Sequence, residues 1–384
     1  MSLEFGLMNE IQVPRPWRED QEYETYKQII AQAILADEVG WDSFWTVEHH
    51  FLAEFSHCSA PESLYPYIAA KTDNIRIGHG VRLLPFPYNH PVRVAEAAAT
   101  LDLVCDGRLE FGTGRSVSWD ELAGFGIDPK ETRGMWEEAL EVVVGSWTED
   151  VFSYDGKYFN LPPRHVIPKP RQKPHPPLWC ASTGPEAHEL AGRKGIGLLS
   201  LTLLVPLEEL KNRIDLYRGG IAAATPVGKF INDRAATFTL VHCAETTKEA
   251  QATAAEAFVW YIKNALTILT SVARQVPAVN PGNGAGSERE EIGAYEYLRA
   301  FLDFDPDLIT MDYLAENNLV IAGDPDYCIE RVRMYEEVGI DLFLPMMQLY
   351  DIPHDKVMRS IRLFGEHVMP AFKKEASVRA SASS

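Results

Sequence analysis

Cysteine is sparse in this chain and forms no pattern. Five cysteines (Cys58, Cys105, Cys180, Cys243 and Cys328) are scattered over 384 residues with no C-x-x-C among them. Such an odd set builds neither a disulfide framework nor a zinc site. Long apolar runs are missing too, since none reaches the roughly 18 residues that a membrane-spanning helix needs. Met1–Asn9 passes straight into strand-like sequence without a basic-then-apolar leader pattern, so cytoplasmic residence is expected. Positive charge is in deficit. Lys and Arg number 36 against 55 Asp and Glu, a net charge of −19, which argues against nucleic acid as a partner because phosphate binding needs clustered cations. No Walker motif, no G-x-G-x-x-G fingerprint and no internal repeat of about 20–50 residues is present.

What is present is core-forming material, 46% of the residues, laid out with two alternating periods. Strands read at Leu3–Met8, Ser43–Thr46, Ile75–Val81, Leu109–Gly112, Leu178–Ala181, Gly197–Leu199, Thr237–Cys243 and Asp341–Leu344. Helices read at Glu22–Glu38, Val92–Val104, Gly134–Trp147, from Pro325 behind an Asp324 cap, and along Val357, Ile361, Phe364 and Val368. A hairpin turning at Asp155-Gly156 is expected over Val151–Asn160. Eight strands alternating with helices predict an α/β protein with a TIM (β/α)8 barrel; an open doubly wound sheet is the competing arrangement.

Two segments interrupt the alternation. Arg164–Pro177 carries five prolines and must be extended. Asn264–Met311 follows the seventh strand, is too long for an ordinary loop, and is turn-rich at Asn280–Gly286. Its apolar flanks, Trp260, Tyr261, Tyr295, Tyr297, Leu298 and Phe301, suit a lid over the catalytic face. One barrel domain is expected over residues 1–375, with a disordered tail at Ala376–Ser384.

Barrel enzymes work at the C-terminal ends of their strands, and that rule selects candidates. His49 and His50 follow the second strand, and adjacent residues at a strand end face opposite ways. One imidazole can therefore enter the barrel mouth as a hydrogen-bond donor or base while His50 packs; no third ligand at recognisable spacing supports a metal. Gly78 and Gly80 either let backbone approach a flat ligand or bend the strand end. Ser182-Thr183-Gly184 before a helix at Pro185 either cradles an anion or caps that helix. Arg115, at the end of the fourth strand, can add a bidentate phosphate contact.

Set in order, these pieces resemble one family. Glu48-His49-His50-Phe51, then Asn89-His90-Pro91-Val92-Arg93, Leu101-Asp102, Asp106-Gly107-Arg108 and Phe111-Gly112-Thr113-Gly114-Arg115 resemble the ordered motifs of bacterial luciferase-like flavin-dependent monooxygenases. The proline run into Pro174–Trp179, Ser182-Thr183, Gly323-x-Pro325 and Gly339-Ile340-Asp341 extend the likeness over residues 3–372. The resemblance implies a barrel that binds reduced FMN, with Arg115, Ser182, Thr183 and Gly184 at its phosphate and Arg133 as a second phosphate arginine. It places a non-prolyl cis peptide at Gly80-Val81 against the ring, Val117 and Ser118 beside the ring, and His49 near the reacting centre. It implies oxygenation of a small, largely apolar organic substrate by O2 through a flavin hydroperoxide, an NAD(P)H-dependent flavin reductase as partner, and a homodimer. A deazaflavin-dependent hydride transfer on the same barrel and a non-catalytic flavin-binding subunit are the alternatives. Two departures stand out. The loop Phe86–Asn89 is longer than in the luciferase α subunit, and Gly114 stands where the family carries a reactive cysteine, so light emission is not carried over.

Overall fold

The strands are runs of apolar residues rather than alternations, because both of their faces are covered. In the computed structural model, which describes residues 2–276, 295 and 297–373, every position of Ser43–Thr46 and Leu109–Gly114 is buried. In chain order the strands are β1 (Glu4–Asn9), β2 (Ser43–Thr46), β3 (Arg76–His79), β4 (Arg82–Leu83), β5 (Leu109–Gly114), β6 (Phe152–Asp155), β7 (Asn160–Arg164), β8 (Leu178–Ser182), β9 (Gly197–Ser200), β10 (Ala235–Cys243), β11 (Val320–Gly323) and β12 (Leu342–Met346). The helices between them are α1 (Gln21–Glu38), α2 (Pro61–Ala69), α3 (Pro91–Val104), α4 (Trp119–Gly124), α5 (Thr132–Thr148), α6 (Pro185–Arg193), α7 (Leu207–Ala222), α8 (Thr247–Gln275), α9 (Met311–Glu316), α10 (Pro325–Val338) and α11 (His354–Leu363).

β1, β2, β3, β5, β8, β9, β10 and β12 pair in parallel in that order. β12 then returns to β1, with Glu4 opposite Leu342 and Met8 opposite Met346. The ring is closed: this is the TIM barrel that the alternation predicts, not the open sheet. Helices cover its outside, several started by side-chain caps such as Asp324, which accepts from the Tyr327 amide at 3.0 Å. At the N-terminal end of the ring the buried Glu110 accepts from Trp179 Nε1 (2.6 Å) and from Arg76, an arrangement that belongs to stability.

Three local differences from the sequence pattern have physical reasons. The hairpin turns where expected, but its second strand, β7, runs on from Asn160 through Arg164, up to the residue where the expected proline-rich segment begins. β11 is a short apolar strand paired to the end of β10, Leu240 opposite Val320, and nothing in its four residues separates it from a buried turn. Asn264–Gln275 is not the start of a loop; it completes α8, 29 residues long. The turn-rich stretch Asn280–Gly286 and the tail Ala376–Ser384 lie outside the described residues. Gly78 serves neither of its two expected purposes. A Cβ there would stand 2.1 Å from the Trp45 ring, so glycine makes room for that indole, which meets Trp179 edge to face at 5.6 Å. Among the described residues no helix is long and apolar enough to cross a membrane.

Candidate active site

Closing the ring brings together residues that simply follow each strand. Glu10 follows β1, Glu48 and His49 follow β2, Gly80 and Val81 follow β3, and Arg115, Ser116 and Val117 follow β5; Ser182 and Thr183 stand at the end of β8. All of them wall one cavity with about 1290 Å³ of empty space, mouth included. Most of the remaining lining is apolar: Met8, Val47, Phe55, Leu199, Leu201 and Leu269.

The Gly80-Val81 peptide is cis, as the family resemblance places it. The Gly80 amide donates to the Thr46 carbonyl at 2.8 Å, and the Glu48 amide donates to the Val81 carbonyl at 3.1 Å. Gly114 leaves the space that Val81 fills, since a Cβ there would lie 2.5 Å from the Val81 side chain. Below this wall the buried Glu48 carboxylate is fully engaged. It accepts from the Leu83 amide (2.8 Å) and Asn89 Nδ2 (2.9 Å) and pairs with Arg82 Nε at 3.4 Å. The Glu48 carboxylate therefore fixes the loop that carries Val81.

His49 and His50 separate as adjacent strand-end residues should. His50 packs away from the cavity, stacked on Tyr88 at 6.0 Å with its edge against Phe125. His49 lines the cavity, and its Nδ1–H donates to Glu121 Oε1 at 2.9 Å. Glu121, on α4, is fully buried and also accepts from the His50 amide (2.9 Å) and the Ser116 hydroxyl. Burial pulls the His49 pKa down, but the Glu121 charge and hydrogen bond outweigh it and leave it raised. Burial likewise pushes Glu121 up, and His49 and the donors around it bring it below its usual value. Both shifts describe one ion pair, imidazolium on carboxylate. Nearby, burial lifts Glu10 to about 7 against the opposing charge of His49.

At the other end the cavity meets a second cleft, with about 910 Å³ of empty space, walled by Gly114, Arg115, Arg133, Trp136, Gly184 and Tyr297 among others. Arg115 borders both spaces. Its contacts are a long 3.4 Å hydrogen bond to Thr132 Oγ1 and the face of Tyr295, and no carboxylate among the described residues pairs with it. Arg133 is shared between Glu137 (3.8 Å) and Glu186 (3.6 Å). Gly184 precedes α6, and no side chain caps that helix, so Ser182 and Thr183 are not its caps. Ser182 Oγ instead donates to the Ala187 carbonyl at 3.2 Å, and the Thr183 carbonyl accepts from Arg213 Nη1 at 2.7 Å. His188, whose pKa burial lowers to about 4, is neutral; its Nδ1–H donates to the Gly184 carbonyl, and Ser200 donates to its Nε2. The α6 entry is thereby held from inside.

The nine predicted cofactor positions thus divide. Gly80, Val81, Val117, Ser182 and Thr183 line the apolar cavity, Gly184 and Arg133 line the second cleft, and Arg115 joins them. Ser118 does not reach either space: it is buried at the start of α4 with its amide on Ser116 Oγ. Sequence reasoning passes over Glu10, Glu121 and Arg213, and names Tyr261 only as an apolar flank of the segment after the seventh strand. The strand-end rule reaches Glu10, which directly follows β1. Nothing in the sequence pairs Glu121 with a histidine 72 residues away.

Among the described residues no cluster of His, Cys, Asp and Glu is arranged to hold a metal ion. A closed barrel whose strand ends wall an apolar cavity continuous with an arginine-bordered cleft suits a flat cofactor with an anionic tail. Comparison with known proteins agrees: residues 4–342 match the profile described as luciferase-like monooxygenase, and the chain belongs to that family of oxidoreductases. It is 25% identical to the oxygenase component of the flavin-dependent trigonelline monooxygenase of Acinetobacter baylyi, over 91% of this chain and 90% of that protein. It is also 25% identical to the F420-dependent glucose-6-phosphate dehydrogenase of Amycolatopsis mediterranei, over 90% of this chain and 95% of that one. The oxygenating constituent of 3,6-diketocamphane monooxygenase from Pseudomonas putida, solved with FMN, shares the fold with a TM-score of 0.74 at 22% identity, covering 96% and 99% of the two chains.

Proposed function

We propose that the protein is a monooxygenase that binds reduced FMN and uses O2 to oxygenate a small, largely apolar organic substrate. One oxygen atom enters the substrate, the other leaves as water, and the two electrons come from the flavin. The observation that carries this reading is Arg115, a cation at the junction of an apolar cavity and an open cleft with no carboxylate of its own among the described residues. A ring in the cavity and a phosphate in the cleft complete it.

In this reading Arg115 and the Gly184 entry of α6 receive the phosphate, with Arg133 beside them and the Ser182 and Thr183 positions closing the near side. Gly80, Val81 and Val117 form the surface against the ring. His49 presents Nε2 at the reacting centre, because Nδ1 is committed to Glu121. The apolar lining excludes water from the same space. The chain shows no nicotinamide fingerprint, so reduced flavin comes from a separate NAD(P)H-dependent reductase.

Anaerobic titration with reduced FMN, oxidised FMN, FAD and F420, followed by single turnover under heavy-isotope O2, tests the proposal. Preference for reduced FMN and label in the product support it; FAD binding as tight as FMN overturns the phosphate site. A second reading is hydride transfer with a deazaflavin. The His49–Glu121 ion pair, suited to moving a proton, and the F420-dependent relative favour it. Saturation by F420 but not by FMN selects it.

A further inference from the structure

Glu10 enters the cavity wall with its carboxylate half used. Its Oε1 accepts from the Tyr261 hydroxyl at 3.1 Å, and its backbone carbonyl is pinned by Ser56 Oγ at 2.7 Å. Its Oε2 makes no hydrogen bond of ordinary length, although the residue is only 6% exposed; the one donor beside it is the Gln12 side-chain amide, whose Nε2 is likewise short of a partner. The neighbouring acids are satisfied: Glu121 by His49, His50 and Ser116, and Glu48 by Leu83, Asn89 and Arg82. Acid exceeds base at this end, because Arg82 is also shared with Glu62 and His49 is neutralised by Glu121. Beside Glu10 the rings of Phe55 and Tyr261 stack at 5.1 Å and 26°, and both line the cavity.

We propose that this end of the cavity binds a cationic nitrogen of the substrate, an ammonium or a charged N-heteroaromatic ring on a compact apolar body, through the Glu10 carboxylate and the Phe55–Tyr261 rings. The inference rests on the reading of this cavity as the substrate site. A buried carboxylate oxygen without a donor is costly, and a cation removes that cost. Aromatic faces add attraction for a desolvated cation. A neutral alkane or terpene leaves Oε2 unpaired.

The groups that face Glu10 are His49 from the end of β2, Tyr261 from α8 and Gln12 from its own strand end. Burial raises the carboxyl to about 7 in the free protein, so protons compete with a cationic ligand.

Calorimetric titration of the flavin-free protein with N-methylpyridinium and benzylammonium, against benzyl alcohol and acetophenone, tests the assignment. Reduced FMN is titrated into the same preparation. The cations are expected to bind about tenfold tighter or more than the neutral compounds. Glu10→Gln keeps an acceptor for Tyr261 and is expected to abolish that preference. N-methylpyridinium carries no proton of its own. Its affinity for the wild type is expected to fall about tenfold per pH unit well below 7 and to level off above, while the Gln variant shows no such slope. Equal binding of cations and neutral compounds, tighter binding of acetophenone, no binding of any probe, or a preference that survives Glu10→Gln overturns the proposal. Failure of FMN to bind overturns the cofactor reading instead, and the two results are read separately.

Discussion

The two ends of the cavity carry opposite charges, and each end satisfies all but one of them. At the β1–β3 end the carboxylates of Glu48 and Glu121 are hydrogen-bonded and paired, while Glu10 keeps an empty oxygen. At the β5–β8 end Arg213, 1% exposed, is held by Glu209, the Thr183 carbonyl and Tyr297, and Arg133 is shared by two glutamates. Arg115 alone of these three has no carboxylate among the described residues. The lesson is that saturation, more than residue type, separates groups that build the barrel mouth from groups that face a ligand. Substituting a saturated charge should cost stability; substituting an unsaturated one should cost binding.

The largest expected effect tests the saturated side. Glu48→Ala removes the acceptor of the Leu83 amide and leaves the buried Arg82 with Glu62 and Asn89 only. A loss of about 3–5 kcal/mol of unfolding free energy is expected, the range for breaking a buried pair, measured by urea denaturation. The next tests the unsaturated side. Arg115→Ala is expected to weaken reduced-FMN binding by about 1.5–3 kcal/mol, with the unfolding midpoint nearly unmoved. Arg133→Ala should weaken it less, since two carboxylates already engage that guanidinium. If Arg115→Ala unfolds the protein and Glu48→Ala does not, the comparison breaks.

Most of the barrel is legible in the sequence, because a parallel strand buried on both faces leaves an apolar run and a helix leaves a 3.6 period. His49 and Arg115 are legible for a related reason: each lies one to three residues past a strand end, and barrel geometry sends such residues to one face. The Ser182–Gly184 turn is legible as a place but not as a role, since an anion cradle and a cap use the same residue types. The rest depends on contacts between distant segments. Glu121 looks like any acid in a short helix until α4 packs under His49. Gly78 looks like a ligand-approach glycine until Trp45 fills its space. α8 is not read as a helix, and its Asn264–Gln275 part is counted into the loop, because the glycines and prolines after residue 279 draw attention from the regular stretch before them.

A smaller effect follows from the empty oxygen of Glu10. Its folded-state pKa, about 7, lies above the ordinary 4.5, so the folded state holds that proton more tightly than the unfolded chain does. The associated stability is complete below about pH 4.5 and is lost as pH rises through 7. Glu10→Gln removes this titration. The variant is expected to match the wild type near pH 5 and to exceed it by about 2 kcal/mol at pH 8, read from urea midpoints at both values. A variant less stable than wild type at pH 8 would mean that Glu10 is satisfied after all, and the contrast with Glu48 would lose its basis.

The smallest effect concerns His49, which stands between the two categories. Its Nδ1–H is saturated by Glu121, while its Nε2 makes no hydrogen bond among the described residues. The two nitrogens can be separated by His49→Asn, because an asparagine amide N–H can stand where Nδ1–H stood and keep Glu121 satisfied. Stability should then change little. What is lost is the nitrogen at the reacting centre, a single hydrogen-bond partner of about 0.5–1.5 kcal/mol, or about two- to tenfold in how each reduced flavin is partitioned. Single-turnover experiments with an accepted substrate are expected to show that drop in product per flavin and a matching rise in hydrogen peroxide. His49→Ala should add a stability loss to the same partitioning change, because Glu121 then keeps only the His50 amide and Ser116. If His49→Asn couples as well as wild type, Nε2 takes no part, and His49 belongs with Glu48 among the residues that only build the mouth of the barrel.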